Sequence, residues 1–356
     1  MTRECYRRLA QHLDRLPGGF DPSETGAELR LLEKLFTPQQ ADLAVHLTLD
    51  REIAQVIADR AALPLDEAEQ LLDEMALQGL ILSYQTADGP TCYQAAPFIV
   101  GIYEFQVNNL TPEIRSALHD YWGTSKPRPP VQTIRQMRTI PIGQSIEPHL
   151  ETLPYEHVGK VIENHDRFAV APCICRRHAK LEDKGCDAPE ETCLMFGDMA
   201  DYYVRTGRGR RIDRAEVKEI LIRADAANLV LQPTNSQDVA AICCCCGCCC
   251  GVLGGLKHHP KPAEAVVNAF AAQIDVDLCQ GCWICLERCQ MGALSEDGDR
   301  VALDADRCIG CGLCVSTCPS GALTLVRKPE SKQKSVPTTL DNTWHTIAKQ
   351  RREVLG

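Results

Sequence analysis

The apolar positions of residues 1–110 recur mostly at helical spacing. In "TGAELRLLEKLF", Leu29, Leu32, Leu35 and Phe36 fall on one side of a helix. The run "DREIAQVIADRAALPLDEAEQLLDEMALQGLILSY" predicts a helix, a turn at Pro64, a second helix stopped by Gly79, and a strand. "ILSYQTADGPTCYQA" then predicts a hairpin with Asp88-Gly89 at its turn.

Helix, turn, helix and hairpin come in the order of a winged helix, so residues 1–110 are expected to form a winged-helix-like domain. Residues 111–165 are proline-rich and irregular, and 111–139 reads as a linker or strap. Farther on, "DRAEVKEILIRADAANLV" predicts a helix. Asp213 is its cap, Glu216 follows three residues later, and Val217, Ile220 and Leu221 make the apolar stripe. Residues 274–326 repeat internally: "VDLCQGCWICLERCQMGAL" aligns with "ADRCIGCGLCVSTCPSGAL" at an offset of 29. Two copies of one unit imply a pseudo-two-fold domain over 270–327. Residues 328–356 read as a polar tail or a terminal helix from Asp341. The expected fold class is α+β and multi-domain, with a cysteine-rich α/β middle domain at 140–265.

Length and composition narrow this further. A chain of 356 residues exceeds one ordinary core. The formal net charge of -10 argues against a general nucleic-acid binder, which needs a surplus of lysine and arginine. The second helix of the N-terminal domain carries Asp66, Glu67, Glu69, Asp73 and Glu74 and no basic residue, so it would repel phosphates. "MTRECYRRLAQHLDRLPGGFDP" has no apolar core of a signal peptide, and no run reaches the length of a membrane span. A cytoplasmic, reducing compartment is expected.

Cysteine is the outlier, with 21 residues. Apart from Cys5 and Cys92, all fall in 173–193, 243–250, 279–289 and 308–318. A disulfide protein would be small and would spread its cysteines among its loops. Here the thiols stand at ligand spacing, as metal binding requires.

Each copy of the repeat has the spacing C-x2-C-x2-C-x3-C. The first holds Cys279, Cys282, Cys285 and Cys289; the second holds Cys308, Cys311, Cys314 and Cys318, with Pro319 after it. This is the bacterial two-cluster ferredoxin pattern, in which the fourth cysteine of each run serves the other cluster. One [4Fe–4S] cluster is therefore expected on Cys279, Cys282, Cys285 and Cys318. The other is expected on Cys308, Cys311, Cys314 and Cys289. Gly281, Gly310 and Gly312 suit loops that pass close to a cluster. Trp283 stands where the second copy has Gly312, and Gln290 where it has Pro319. Structural zinc fits poorly, because a third evenly spaced cysteine has no place in a tetrahedral set. The segment resembles the 4Fe-4S dicluster ferredoxin family, and that resemblance implies one-electron transfer at low potential.

Eleven further thiols precede the repeat. "APCICRRHAKLEDKGCDAPEETCLMFG" supplies Cys173, Cys175, Cys186 and Cys193; "ICCCCGCCC" supplies Cys243 to Cys246 and Cys248 to Cys250. In an extended backbone Cys243 and Cys245 face one side and Cys244 and Cys246 the other, until Gly247 turns the chain. One or two additional iron–sulfur clusters are expected on Cys173, Cys175, Cys186, Cys193, Cys243, Cys245, Cys246, Cys248, Cys249 and Cys250. The thiols left over would be outer groups, ligands of a larger cluster, or a redox pair. Arg176 and Arg177 are expected to offset the negative charge of such a site. Residues 140–326 resemble cysteine-rich 4Fe-4S dicluster proteins of anaerobic bacteria and archaea, which often carry an N-terminal winged-helix-like region. Relatives tend to have Asn at the position of Cys244, which sets this residue apart from the expected ligands.

No dinucleotide fingerprint, P-loop, nucleophile elbow, zinc-protease or haem motif is present, so no nucleotide or flavin site of its own is expected. The expected function is an iron–sulfur electron-transfer protein, or the electron-transfer subunit of a redox complex, working with redox partner proteins. Two rivals are a redox-sensing transcription regulator and a reductase with an unusual iron–sulfur site on the 173–193 and 243–250 cysteines.

Overall fold

The computed structural model describes residues 2–86, 89–125 and 134–355. They form two compact units with mixed helix and sheet, an α+β composition. The first comprises Met1–Gln136, Tyr202–Arg208 and Asp341–Gly356; the second comprises Met137–Asp201 and Gly209–Leu340.

Unit one begins with α1 (Thr2–Arg15), α2 (Ala27–Leu35) and α3 (Pro38–Ala44). The apolar stripe of α2 is turned by about a residue from the one expected. Leu31, Leu32 and Phe36 are buried, while Leu29 and Leu35 are half-buried. Thr37 and Gln40 close a reciprocal capping box on α3, with Pro38 at its first turn. Next come β1 (Glu52–Ile53), α4 (Ala54–Ala61), α5 (Leu65–Gln78), β2 (Ile81–Tyr84) and β3 (Cys92–Ala95). Pro64 precedes α5, and Gly79 ends it with φ at 77° in the left-handed region. The three strands form one antiparallel sheet in the order β1-β3-β2. At the hairpin, Asp88 lies outside the described residues.

After the one-turn α6 (Tyr103–Phe105) comes α7 (Pro112–Thr124). This corrects part of the expected linker at 111–139. Thr111 caps Ile114 N with its hydroxyl and Pro112 opens the first turn, so "TPE" is a helix start rather than a break. Residues 126–133 of that segment lie outside the description. Within unit one, Tyr202 donates from its hydroxyl to Ile81 O at 2.8 Å, and Arg208 donates to Phe105 O and Leu77 O.

Unit two is built on a five-stranded antiparallel sheet. Its chain order is α8 (Val158–Glu163), β4 (Phe168–Pro172), α9 (Ile174–Leu181), β5 (Glu191–Phe196), α10 (Gly197–Arg205, whose last four residues belong to unit one), β6 (Arg210–Ile212), α11 (Arg214–Ala226), β7 (Val230–Pro233) and β8 (Ala241–Cys245). The sheet order is β6-β4-β5-β8-β7. Asp213 caps α11 by accepting from Glu216 N at 2.8 Å, and Val217 and Ile220 are buried beneath it. Beyond β8 lie α12 (Gly251–His258), α13 (Pro262–Ala265), β9 (Phe270–Ile274), α14 (Ile284–Arg288), β10 (Leu294–Asp297), β11 (Arg300–Leu303) and β12 (Leu323–Arg327). β9 pairs with β12, and β10 with β11, both antiparallel.

Residues 140–265 and 270–327, expected as separate domains, share this unit. One apolar core runs through both, from Val170, Leu194 and Ile242 to Met291, Ile309 and Leu313. Arg288 ties them further: it pairs with the Asp225 carboxylate, both side chains being 12% exposed, and donates to Leu313 O. Of the polar tail or terminal helix from Asp341 expected over 328–356, the last part is the helix α15 (Leu340–Leu355), whose Trp344 and Ile347 are buried. Among the described residues no helix is long and apolar enough to cross a membrane.

Candidate metal centres

The repeat is visible in the backbone. Gly281 and Gly310, Trp283 and Gly312, and Gly292 and Gly321 all have positive φ, each pair 29 positions apart. Two of these glycines are required by close approach. A Cβ on Gly310 would stand 2.1 Å from Phe270 O, and one on Gly281 would stand 2.3 Å from Asp299 O. Trp283 adopts the same left-handed turn at φ 63° without glycine's freedom, a conformation that costs an L-residue about 1–2 kcal/mol.

Two cavities follow. Cys279, Cys282, Cys285 and Cys318 line one, together with Trp283, Ile284, Val301 and Leu323. Cys289, Cys308, Cys311 and Cys314 line the other, with Ala272, Met291, Ile309 and Leu303. Each cavity thus gathers three cysteines of one run and the fourth of the other. Backbone N–H groups already point at the sulfurs: Ala272 N lies 3.3 Å from Cys308 Sγ and Ala293 N 3.1 Å from Cys289 Sγ. Backbone N–H groups of Leu323, Ser320 and Ala322 hold the Cys318 thiol below its ordinary range although burial opposes them. Burial pushes Cys311 up to about 12, a cost that a bound cation would remove. Four thiols, apolar walls and N–H donors to sulfur are the surroundings that a [4Fe–4S] cluster needs.

Gly310→Ala is a direct check on this frame. The left-handed backbone alone costs about 1–2 kcal/mol, and the contact with Phe270 O adds to it. Lower thermal stability and loss of iron from the cluster beside it are expected; unchanged iron and melting temperature would show that the loop is not constrained in this way.

The middle thiols sort into three sets. β5 and β8 pair Cys193 with Cys243, and alternation along β8 puts Cys243 and Cys245 on one face. Cys173 and Cys250 are the cap residues of α9 and α12, where free helical N–H groups favour a thiolate. Leu253 N reaches Cys250 Sγ at 3.5 Å. With Cys175 these residues close a ring of six: Cys173, Cys175, Cys250, Cys245, Cys243, Cys193 and back to Cys173. The neighbouring thiols draw Cys173, Cys250 and Cys243 below the ordinary range, and together with burial push Cys175, Cys245 and Cys193 above it.

The second set is Cys186, Cys246, Cys248 and Cys249, whose sulfurs all lie within 4.8 Å of one another. The third is Cys244 alone. It is 1% exposed and packs in the apolar core with Ile242, and burial pushes its thiol up.

Arg176 is fully buried. It donates to Cys244 O at 3.1 Å and to Thr192 Oγ1, and its Nη1 lies 3.8 Å from Cys246 Sγ. Burial opposes its charge, but the neighbouring sulfurs of Cys173, Cys246 and Cys193 favour the protonated guanidinium. Arg177, expected in the same role, faces the Glu190 carboxylate at 3.5 Å, a partner that already answers its charge. Gln290 was not singled out by chemistry in the sequence. Its Oε1 accepts from Gly247 N at 2.8 Å and its Nε2 donates to Asn228 O, joining the repeat to the seven-cysteine run. The departure from proline at that position was the only signal.

Residues 301–324 match the family described as 4Fe-4S binding domain. No curated protein and no solved structure matches the chain. The matched segment contains Cys308, Cys311, Cys314 and Cys318. The chain is an iron–sulfur protein with a ferredoxin-type segment in unit two.

Proposed function

We propose that the protein passes single electrons through two [4Fe–4S] clusters on the ferredoxin-type repeat to a further metal cluster held by the six-thiol ring. One observation carries this. The core that contains Cys245, Cys246 and Cys250 also has Cys289 and Cys311 packed against it, so the inner cavity of the repeat and the middle thiols share one apolar body, and Cys289 also packs against the separate cluster around the outer cavity. Cys279, Cys282, Cys285 and Cys318 hold the outer cluster; Cys308, Cys311, Cys314 and Cys289 hold the inner one.

The outer cluster suits exchange with a redox partner protein. Cys282 is exposed, and Val276, Leu278 and Ile284 stand 46%, 50% and 43% exposed around it. Apolar rims of this kind fit transient docking. Cys308 of the inner cluster is buried. Electrons from the partner therefore enter at the outer cluster and travel inward. The helices, hairpin and β1-β3-β2 sheet of residues 27–95 form a winged-helix-like body. Asp66, Glu67, Glu69, Asp73 and Glu74 on α5 are all exposed, which favours a protein-docking or structural role over DNA binding. The surplus of thiols in the ring favours a second reading, in which the ring's cluster reduces a small molecule with electrons from the repeat.

Iron and acid-labile sulfide on anaerobically purified protein test the proposal. More than about eight irons per chain, at four per cubane, and reversible one-electron reduction are expected. About eight irons would remove the further cluster, and iron well below about eight, or no reversible reduction, would overturn the whole proposal.

A further inference from the structure

The four thiols Cys186, Cys246, Cys248 and Cys249 differ in spacing from every other cysteine set in unit two. Cys186 Sγ lies 3.8 Å from both Cys246 Sγ and Cys249 Sγ, and Cys248 Sγ lies 3.7 Å from Cys249 Sγ. Four sulfurs bound tetrahedrally at about 2.3 Å from one ion stand about 3.8 Å apart. A cubane's four thiolates bind four different irons and must stand farther apart. The chain holds its own comparison. Among the described residues, this is the only group of three or more histidine, cysteine or acidic residues whose ligand atoms all come within 4.8 Å. Neither the eight thiols around the two cavities nor the ring of six meets that spacing.

We propose that Cys186, Cys246, Cys248 and Cys249 form a mononuclear tetrathiolate site for one soft divalent metal ion of the zinc or iron class, distinct from the iron–sulfur clusters. The chemistry of the donors agrees. Four thiolates and one divalent ion carry two net negative charges, and the buried Arg176 guanidinium beside Cys246 Sγ answers part of that. Binding displaces the protons still on the thiols and requires no oxidant or reductant. The ion staples the loop between α9 and β5 to the turn between β8 and α12, fixing the backbone that presents Cys250 and Cys175 to the ring. This inference does not depend on the electron-transfer reading, since it concerns the number of metal ions bound and not electron flow.

The test uses the full chain purified anaerobically, with zinc, iron and sulfide counted for the native protein, for Cys248→Ser and Cys249→Ser, and for Cys92→Ser as a control outside all the sets. Cys248 is exposed, so its substitution spares the core. The expected result is the loss of about one ion per chain in both variants, with sulfide and the cluster spectra unchanged and no loss in Cys92→Ser. Cobalt(II) reconstitution is expected to give the visible spectrum of a tetrahedral tetrathiolate, absent from the two variants. If the lost ion is zinc, the site is structural; if it is iron with a mononuclear high-spin ferric signal, the same single-ion site is redox-active. Loss of about four irons together with sulfide in Cys249→Ser would overturn the proposal, because the set would then hold a cubane. So would native protein whose metal is all accounted for by sulfide-bearing clusters.

Discussion

Cys318→Ser and Cys282→Ser are expected to damage the same cluster, although the two residues lie in different copies of the repeat. Both line one cavity with Cys279 and Cys285. Each single variant should lose up to about four irons per chain and the spectrum of one cluster. The double variant should lose no more than either single one, since changes within one metal site are not additive. Cys311→Ser should instead abolish the other spectrum, and its loss should add to that of Cys282→Ser, because Cys311 lines the second cavity with Cys289, Cys308 and Cys314. Iron counting and low-temperature electron paramagnetic resonance on reduced samples read both outcomes. A double variant Cys282→Ser/Cys318→Ser that loses about eight irons would mean that each run of four serves its own cluster.

The grouping of these cysteines around two cavities was legible in the sequence because ligand spacing is local. Three cysteines two apart fix a loop, and an offset of 29 fixes the second loop, without any knowledge of the sheet. The middle thiols were legible only in part. Alternation along an extended strand separated Cys243 and Cys245 from Cys244. It did not say which partners they meet, because that depends on the β5–β8 register that places Cys193 opposite Cys243. Nor did it show that Cys186 joins Cys246, Cys248 and Cys249, since a turn at Gly247 and a loop between α9 and β5 set that meeting. Arg176 and Arg177 look equivalent in sequence. On α9 they point differently, Arg176 into the core beside Cys246 and Arg177 toward Glu190.

The ring gives the other large effect. Cys245→Ser is expected to remove the iron of the additional cluster, whereas Cys244→Ala should leave metal content unchanged although the two residues are adjacent. Cys245 neighbours Cys243 and Cys250 in the ring; Cys244 faces the opposite side of β8, packed with Ile242. Cys244→Ala removes a small buried side chain and should cost on the order of 1 kcal/mol in stability. Serine at 245 still supplies an oxygen, so the backbone has no reason to collapse, and a loss of iron there reports on ligation. Six thiols exceed the four that one cubane takes, so the iron lost from Cys245→Ser measures the size of the cluster: about four for a cubane with two outer thiols, more for a cluster that uses all six. Equal iron loss from Cys244→Ala and Cys245→Ser would contradict the assignment of ring residues by strand face. No loss from either would remove the ring as a metal site and leave its six closely placed thiols as a dithiol redox reservoir.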